Sequence, residues 1–290
     1  MRQDSFQFDR KALEAILEVR YFMVGIQRST PPKTALITGA SSGIGYEFAQ
    51  LFANDRYNLV LVARSEETLK KIAAEFSEKF GISVKIIPLD LSIPGTPDQV
   101  FLEVRREGIE LDVLVNNAGF ATYGFFSETD VSAELKMMQV NMVALTHLTK
   151  LFLKDMIARH EGKILNVSST AGFQPGPLMA VYYATKAYVL SFSEAIANEL
   201  EGSGVTVTVL CPGPTETGFQ SRAKMKESRL FRIRQPMDVK TVARLGYWGL
   251  MHDKAIVIPG FLNKVLALAN RFIPREVATR IVRNMQAKEG

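Results

Sequence analysis

The chain has 290 residues, 47% of them hydrophobic, with a single cysteine and a formal net charge of +5. That is enough apolar material for one large α/β domain, and the lone thiol of Cys211 excludes an intrachain disulfide. No apolar run approaches the roughly 18 residues of a membrane span, and Asp4, Asp9, Glu14 and Glu18 interrupt any secretory leader, so a cytoplasmic protein is expected, with membrane-surface contact as a secondary reading.

In chain order, Asp9 can cap a helix running toward Met23, with Ala12, Ala15, Val19, Phe22 and Met23 as its apolar stripe and Pro31-Pro32 as its stop. This N-terminal extension, residues 1–32, is expected to pack on the domain or on a second subunit, with membrane-surface contact as the sharper alternative. Strands are predicted at Thr34–Thr38, Asn58–Ala63, Val84–Leu89, Asp112–Val115, Lys163–Val167, Val205–Leu210 and Ala255–Pro259. Amphipathic helices are predicted between them, at Tyr46–Asn54, Glu67–Lys79, Val131–Arg159, Val181–Glu201 and Val239–His252. Such alternation implies right-handed βαβ units and a parallel sheet covered on both faces, with ligands beyond the carboxyl ends of the strands. The domain runs over 33–260 and is followed by a basic amphipathic extension, 261–290.

Charge is uneven. Residues 1–219 hold 20 Lys/Arg against 25 Asp/Glu, whereas 220–290 hold 15 against 5. A solvated basic face explains this most simply, and attraction to an anionic substrate or surface is the sharper reading. Nucleic acid is not expected as a partner, because no nucleic-acid motif accompanies the basic stretch.

Thr38-Gly39-Ala40-Ser41-Ser42-Gly43-Ile44-Gly45 joins the first strand to the first helix. Glycines there allow a tight turn and close approach to a pyrophosphate, and the helix N-terminus attracts the anion. At the end of the second strand, Ala63-Arg64-Ser65 offers no carboxylate for a ribose hydroxyl. The Arg64 guanidinium can instead pair with a 2′-phosphate, which points to NADP.

Tyr182 and Lys186 stand four residues apart in a helical stretch, and Ser169 precedes Tyr182 by thirteen. Positions i and i+4 share a helix face, so the ammonium can sit beside the phenol and lower its ordinary pKa of about 10. A drop of about three units would represent ~4 kcal/mol and would suit the phenol to acid–base work at neutral pH. Ser168 and Tyr183 are adjacent alternatives, but Tyr183 has Ala187 rather than a lysine four residues on. His147, His160 and His252 show no metal-ligand spacing, and Cys211 is expected to be a small buried residue.

These motifs, in this order, resemble the short-chain dehydrogenase/reductase family over about residues 33–260. Thr38, Gly39, Gly43 and Gly45 match its glycine motif. Asp90-Leu91 matches its adenine-contacting pair, and Asn116-Asn117-Ala118-Gly119 the end of its fourth strand. Pro212-Gly213 with Thr215 and Thr217 matches its nicotinamide segment. The resemblance implies a doubly wound (Rossmann), mostly parallel sheet of about seven strands and a cofactor site for NADP(H) that also includes Ser41, Ser42, Ile44, Arg64, Asn117, Ala118 and Gly119. It implies a catalytic tetrad of Asn141, Ser169, Tyr182 and Lys186, with Tyr182 as the proton donor and Lys186 also binding the nicotinamide ribose. Asn141 would hold a proton-relaying water through its backbone carbonyl.

The same resemblance brings two segments to the substrate: Phe120, Tyr123, Phe125 and Phe126, then Phe173, Pro175, Pro177, Leu178 and Met179. It makes 218–237 a variable lid that carries Arg222, Lys224, Lys226, Arg229, Arg232 and Arg234. A hydrophobic pocket under a basic lid suits a 3-oxoacyl thioester, and a sterol- or retinoid-like ketone is the alternative. A non-catalytic NADP-binding regulator is a third reading, against which the complete tetrad argues. A homodimer or homotetramer is implied. Leu262, Val265, Leu266 and Leu268 with Arg271, Arg275, Arg280 and Arg283 suit either a subunit interface or a membrane surface.

Overall fold

The seven expected strands all form: β1 (Thr34–Thr38), β2 (Asn58–Val62), β3 (Val84–Ile87), β4 (Val113–Asn116), β5 (Gly162–Val167), β6 (Val205–Leu210) and β7 (Ile256–Val257). Most read as continuous Val, Ile and Leu because strands buried on both faces need no polar alternation. In this computed structural model, which describes residues 32–218 and 235–287, every strand pair is parallel and the order is β3-β2-β1-β4-β5-β6-β7. The chain divides into two units, Met1–Pro32 and Lys33–Gly290, and only the second is described further. The expected N-terminal helix and the lid cations from Arg222 to Arg234 lie outside the described residues.

Helices α1 (Gly43–Asn54), α2 (Glu66–Phe80), α3 (Thr96–Arg106), α4 (Val131–Met138), α5 (Leu145–Arg159), α6 (Ala180–Glu199) and α7 (Val239–Met251) connect or cover the strands. On one face Phe48, Phe52, Phe76, Val242 and Leu250 pack against β1, β2 and β4. On the other, Val100, Val104, Leu148, Phe152 and Met156 cover the same sheet. Each fully buried aromatic or aliphatic side chain contributes on the order of 1.5–3 kcal/mol. Helix ends follow local chemistry. Asp130 accepts from the backbone N–H of Ser132 (3.2 Å) and Ala133 (3.0 Å), and Asp238 accepts from Thr241 (2.8 Å). Gly81 closes α2 in the left-handed conformation, φ 63°.

Three features differ from the sequence expectation. The helix expected over Val131–Arg159 is divided by a π-helical segment, Gln139–Ala144, which holds Asn141; such local widening is common at functional sites. Helix α3 is additional, its buried face being Thr96, Val100 and Val104 at intervals of four. The C-terminal extension forms two helices, α8 (Phe261–Ala269) and α9 (Arg275–Gln286). Because β1 lies between β2 and β4, the strand order reverses there, and a crevice opens beyond the carboxyl ends of those strands.

Candidate active site

The glycine turn is held in shape by its own backbone and by β4. Gly39 has φ +67°, and a Cβ there would stand 2.8 Å from Asn117 Nδ2. A Cβ on Gly45 would overlap the Gly39 carbonyl oxygen, so this glycine permits the turn to close against the start of α1. Asn117 Nδ2 donates to the Thr38 carbonyl (2.9 Å), and the backbone N–H groups of Asn117 and Ala118 both donate to Thr38 Oγ1 (3.0 Å each). The Thr38 and Asn117 motifs, 79 residues apart, are therefore one construction.

A cavity of about 500 Å³ opens over this turn. Gly39, Ser41, Ser42, Gly43 and Ile44 line it, as do Arg64 after β2 and Asp90 and Leu91 after β3. Asn117, Ala118 and Gly119 after β4, and Pro212, Gly213, Thr215 and Thr217 after β6, complete that end. Gly45 is the exception among the expected cofactor residues: it lies behind the wall, as the close approach just described requires.

Further along the same cavity stand Ser169, Tyr182 and Lys186. Ser169 begins a 3₁₀ turn (Thr170–Phe173), and its Oγ accepts from Ala171 N–H (3.1 Å) and hydrogen-bonds the Tyr182 side chain. Ser168, which lines the same cavity, donates from its Oγ to the Lys186 carbonyl (2.7 Å), which separates the two serines by role. Lys186 Nζ donates to the Val167 carbonyl (2.9 Å) and lies 5.8 Å from the Tyr182 ring centre. Asn141 clamps the loop after β4: its Nδ2 donates to Phe120 O (3.0 Å) and Thr185 Oγ1 (3.1 Å), and its Oδ1 accepts from Phe120 N–H (3.2 Å).

The electrostatics reverse one expectation. Burial raises the Tyr182 phenol above its ordinary value, opposed by the Ser169 hydrogen bond. The same burial lowers Lys186 to about 8, so the amine is a weaker cation than the i,i+4 spacing alone suggests and does not depress the phenol. Cys211 is buried as expected, its thiol pushed up to about 12 by burial. Among the described residues, no cluster of His, Cys, Asp or Glu could hold a metal.

Phe173 is a second correction. Half-buried at the end of the 3₁₀ turn, it packs on the cluster of Leu145, Val189, Leu190, Val209 and Cys211 and is not among the residues that line the cavity. Phe120 and Met179, two of the residues expected at the substrate, line that side, and the C-terminal helices complete it through Leu266, Ile273, Ile281, Val282 and Met285. Helix α9 is fastened there by buried Gln286, whose Nε2 donates to Tyr183 Oη (2.7 Å). The Gln286 carbonyl also accepts from Tyr123 Oη (2.5 Å). The amphipathic pattern of 261–290 signals helices, but not which surface they cover.

Residues 33–228 match the short chain dehydrogenase family. The chain is a member of that family. This short-chain dehydrogenase is 30% identical over 273 residues to the very-long-chain 3-oxoacyl-CoA reductase of Pyrenophora tritici-repentis, covering 87% of this chain and 79% of that one. It is 31% identical over 260 residues to the mouse (Mus musculus) 17-beta-hydroxysteroid dehydrogenase type 3, 87% of this chain and 84% of the other. The Anas platyrhynchos very-long-chain 3-oxoacyl-CoA reductase matches over 58% of its length. A short-chain dehydrogenase from Sphingobium yanoikuyae, solved in complex with NADPH, superposes with TM-score 0.75 and 31% identity, over 89% of this chain and 99% of that one. The protein is thus an oxidoreductase of the alcohol/carbonyl type on a Rossmann sheet. The residues present fit a dinucleotide: a glycine turn at a helix N-terminus, and a cationic Arg64 after β2 where a carboxylate would repel a 2′-phosphate.

Proposed function

We propose that this enzyme is an NADP(H)-dependent reductase of a hydrophobic ketone, with 3-oxoacyl thioesters as the favoured class. The observation that carries it is one continuous cavity, polar and glycine-lined at the Arg64 end and apolar beyond Tyr182. Arg64 would hold the adenosine 2′-phosphate, and Ser41, Ser42 and the α1 N-terminus the diphosphate. Bound NADPH supplies the hydride. Tyr182 donates its proton to the carbonyl oxygen as the alcohol forms, and Ser169 Oγ orients that oxygen and stabilises its developing charge. Lys186 orders the nicotinamide ribose, while Asn141 holds the Phe120 loop in place. Burial holds the phenol above its ordinary range, so Tyr182 carries at neutral pH the proton that reduction consumes.

The substrate class follows from the apolar wall of Phe120, Met179, Leu266, Ile281, Val282 and Met285, together with the Pyrenophora relative. A steroid-like ketone is the second reading, supported by the same wall and by the mouse relative. NADPH oxidation with a medium-chain 3-oxoacyl-CoA and with its neutral ketone counterpart, at low and high salt, decides between them. Thioester preference that collapses with salt supports the first. Equal or greater activity on the neutral ketone supports the second. Apolar side chains left exposed along α4, α5, the π segment and α6 (Leu135, Val143, Ile157, Tyr188) suit burial against a second copy, and a homodimer or homotetramer is expected by sedimentation velocity.

A further inference from the structure

Helix α8 is apolar on two opposite sides. Its inner residues, Asn263, Leu266 and Ala267, line the cavity. Outward, Phe261, Leu262, Val265 and Leu268 form a second apolar stripe that Phe272 continues in the following turn. Phe261 is 83% exposed and Phe272 81%, the highest exposures among the large hydrophobic residues described. A helix serving only as a cavity wall needs one apolar face. The stripe runs on through Val277 to Ile281, which is half exposed and also lines the cavity, so the apolar surface reaches the cavity mouth.

The surrounding charge narrows the occupant. Residues 261–287 carry Lys264, Arg271, Arg275, Arg280 and Arg283, with Glu276 as their sole carboxylate. Two copies joined through this face would oppose like charges at close range. An anionic bilayer satisfies both features, accepting aromatic side chains at the acyl boundary and cations at the headgroups. No described helix is long and apolar enough to cross a membrane, which fits a helix lying in the interface.

We propose that α8 and the start of α9 dock on an anionic lipid surface, with Phe261 and Phe272 inserted and the cavity mouth turned toward the lipid. A hydrophobic substrate then passes from bilayer to cavity with little exposure to water, a consequence that rests on the reductase reading. Docking itself does not rest on that reading.

The test is co-sedimentation of the full chain with vesicles of phosphatidylcholine alone and of phosphatidylcholine with phosphatidylserine, at low and high salt. Wild type should pellet with the anionic vesicles, less so at high salt. Phe261→Ser/Phe272→Ser should reduce binding by about tenfold or more, and Lys264→Glu/Arg271→Glu should remove the preference for anionic lipid. Leu102→Ser, an exposed apolar position on α3, should bind as wild type. Turnover of a short water-soluble ketone in each variant reports folding and the reductase reading separately from docking. Absence of wild-type binding overturns the proposal, as does unchanged binding by both double variants. Loss of self-association in Phe261→Ser/Phe272→Ser without loss of vesicle binding overturns it in favour of a second copy.

Discussion

The two ends of the cavity are built from different materials. At the cofactor end, the wall is built on a glycine turn and strand ends, tied together by the Asn117 side chain and edged by short polar residues and Arg64. At the substrate end, the wall is side chains on helices that arrive from the far end of the chain. These are fastened by contacts such as Tyr123 to Gln286, 163 residues apart. A backbone wall permits little variation, because a single Cβ at Gly45 would collide with a carbonyl oxygen. A helical wall can change its lining residue by residue while the sheet stays as it is. Cofactor chemistry and substrate choice are thereby separated in the fold.

The sharpest test of that separation lies where the two ends meet. Tyr182→Phe removes the proton donor but leaves both walls intact, so kcat should fall by about 10²–10⁴ while NADPH affinity is retained. Stopped-flow turnover and a fluorescence titration of NADPH measure the two quantities. Full turnover by the variant would mean that Tyr182 is not the proton donor. Next in size, Arg64→Asp alters only the cofactor end. Replacing a charge-assisted partner of the 2′-phosphate with a carboxylate should lower kcat/KM for NADPH by about 10–100-fold relative to NADH. The ranking of substrates by chain length should not change.

The same division explains how much was legible in the sequence. All seven strands and the glycine turn could be read because their causes are local: β-branched runs, a turn that only glycine permits, and a strand–turn–helix order. The family resemblance, through its usual serine-to-tyrosine gap, favoured Ser169 over Ser168, and the structure gives the two hydroxyls different partners. What could not be read depends on contacts between distant residues. The amphipathic pattern of 261–290 was visible, but the Gln286 seat on Tyr183 was not, nor was the packing of Phe173 on the cluster that holds Leu145 and Cys211. Burial also decided the sign of the Tyr182 shift, and burial is a property of the assembled fold. A third prediction works on the part that was hidden. Met285→Trp overfills the α9 wall and should lower kcat/KM for a long-chain ketone about tenfold, or ~1.4 kcal/mol. A short-chain ketone and NADPH binding should be spared. Equal loss on both ketones would mean that α9 does not set chain length.

The smallest expected effect lies on the boundary itself and is read in stability. Lys186 titrates at about 8 in the fold and at 10.5 when unfolded. Below pH 8 both states hold the proton, and the cost of burying the ammonium is fully present. Between about 8 and 10.5 the native state has released its proton while the unfolded chain keeps one, so stability rises with pH. Tyr182 and Cys211 act in the opposite sense, because burial keeps both protonated above the pH at which the unfolded chain releases their protons. Tyr182 is common to wild type and Lys186→Met and cancels in the difference, whereas Cys211 interacts with Lys186 and leaves a smaller remainder of that coupling. Urea unfolding without added cofactor should therefore show wild type gaining about 1 kcal/mol on Lys186→Met between pH ~7 and ~9. A parallel pH dependence in the two proteins would mean that the amine is as well solvated as an ordinary lysine. The boundary between the two walls would then be wet, and the burial that raises the Tyr182 phenol would be absent as well.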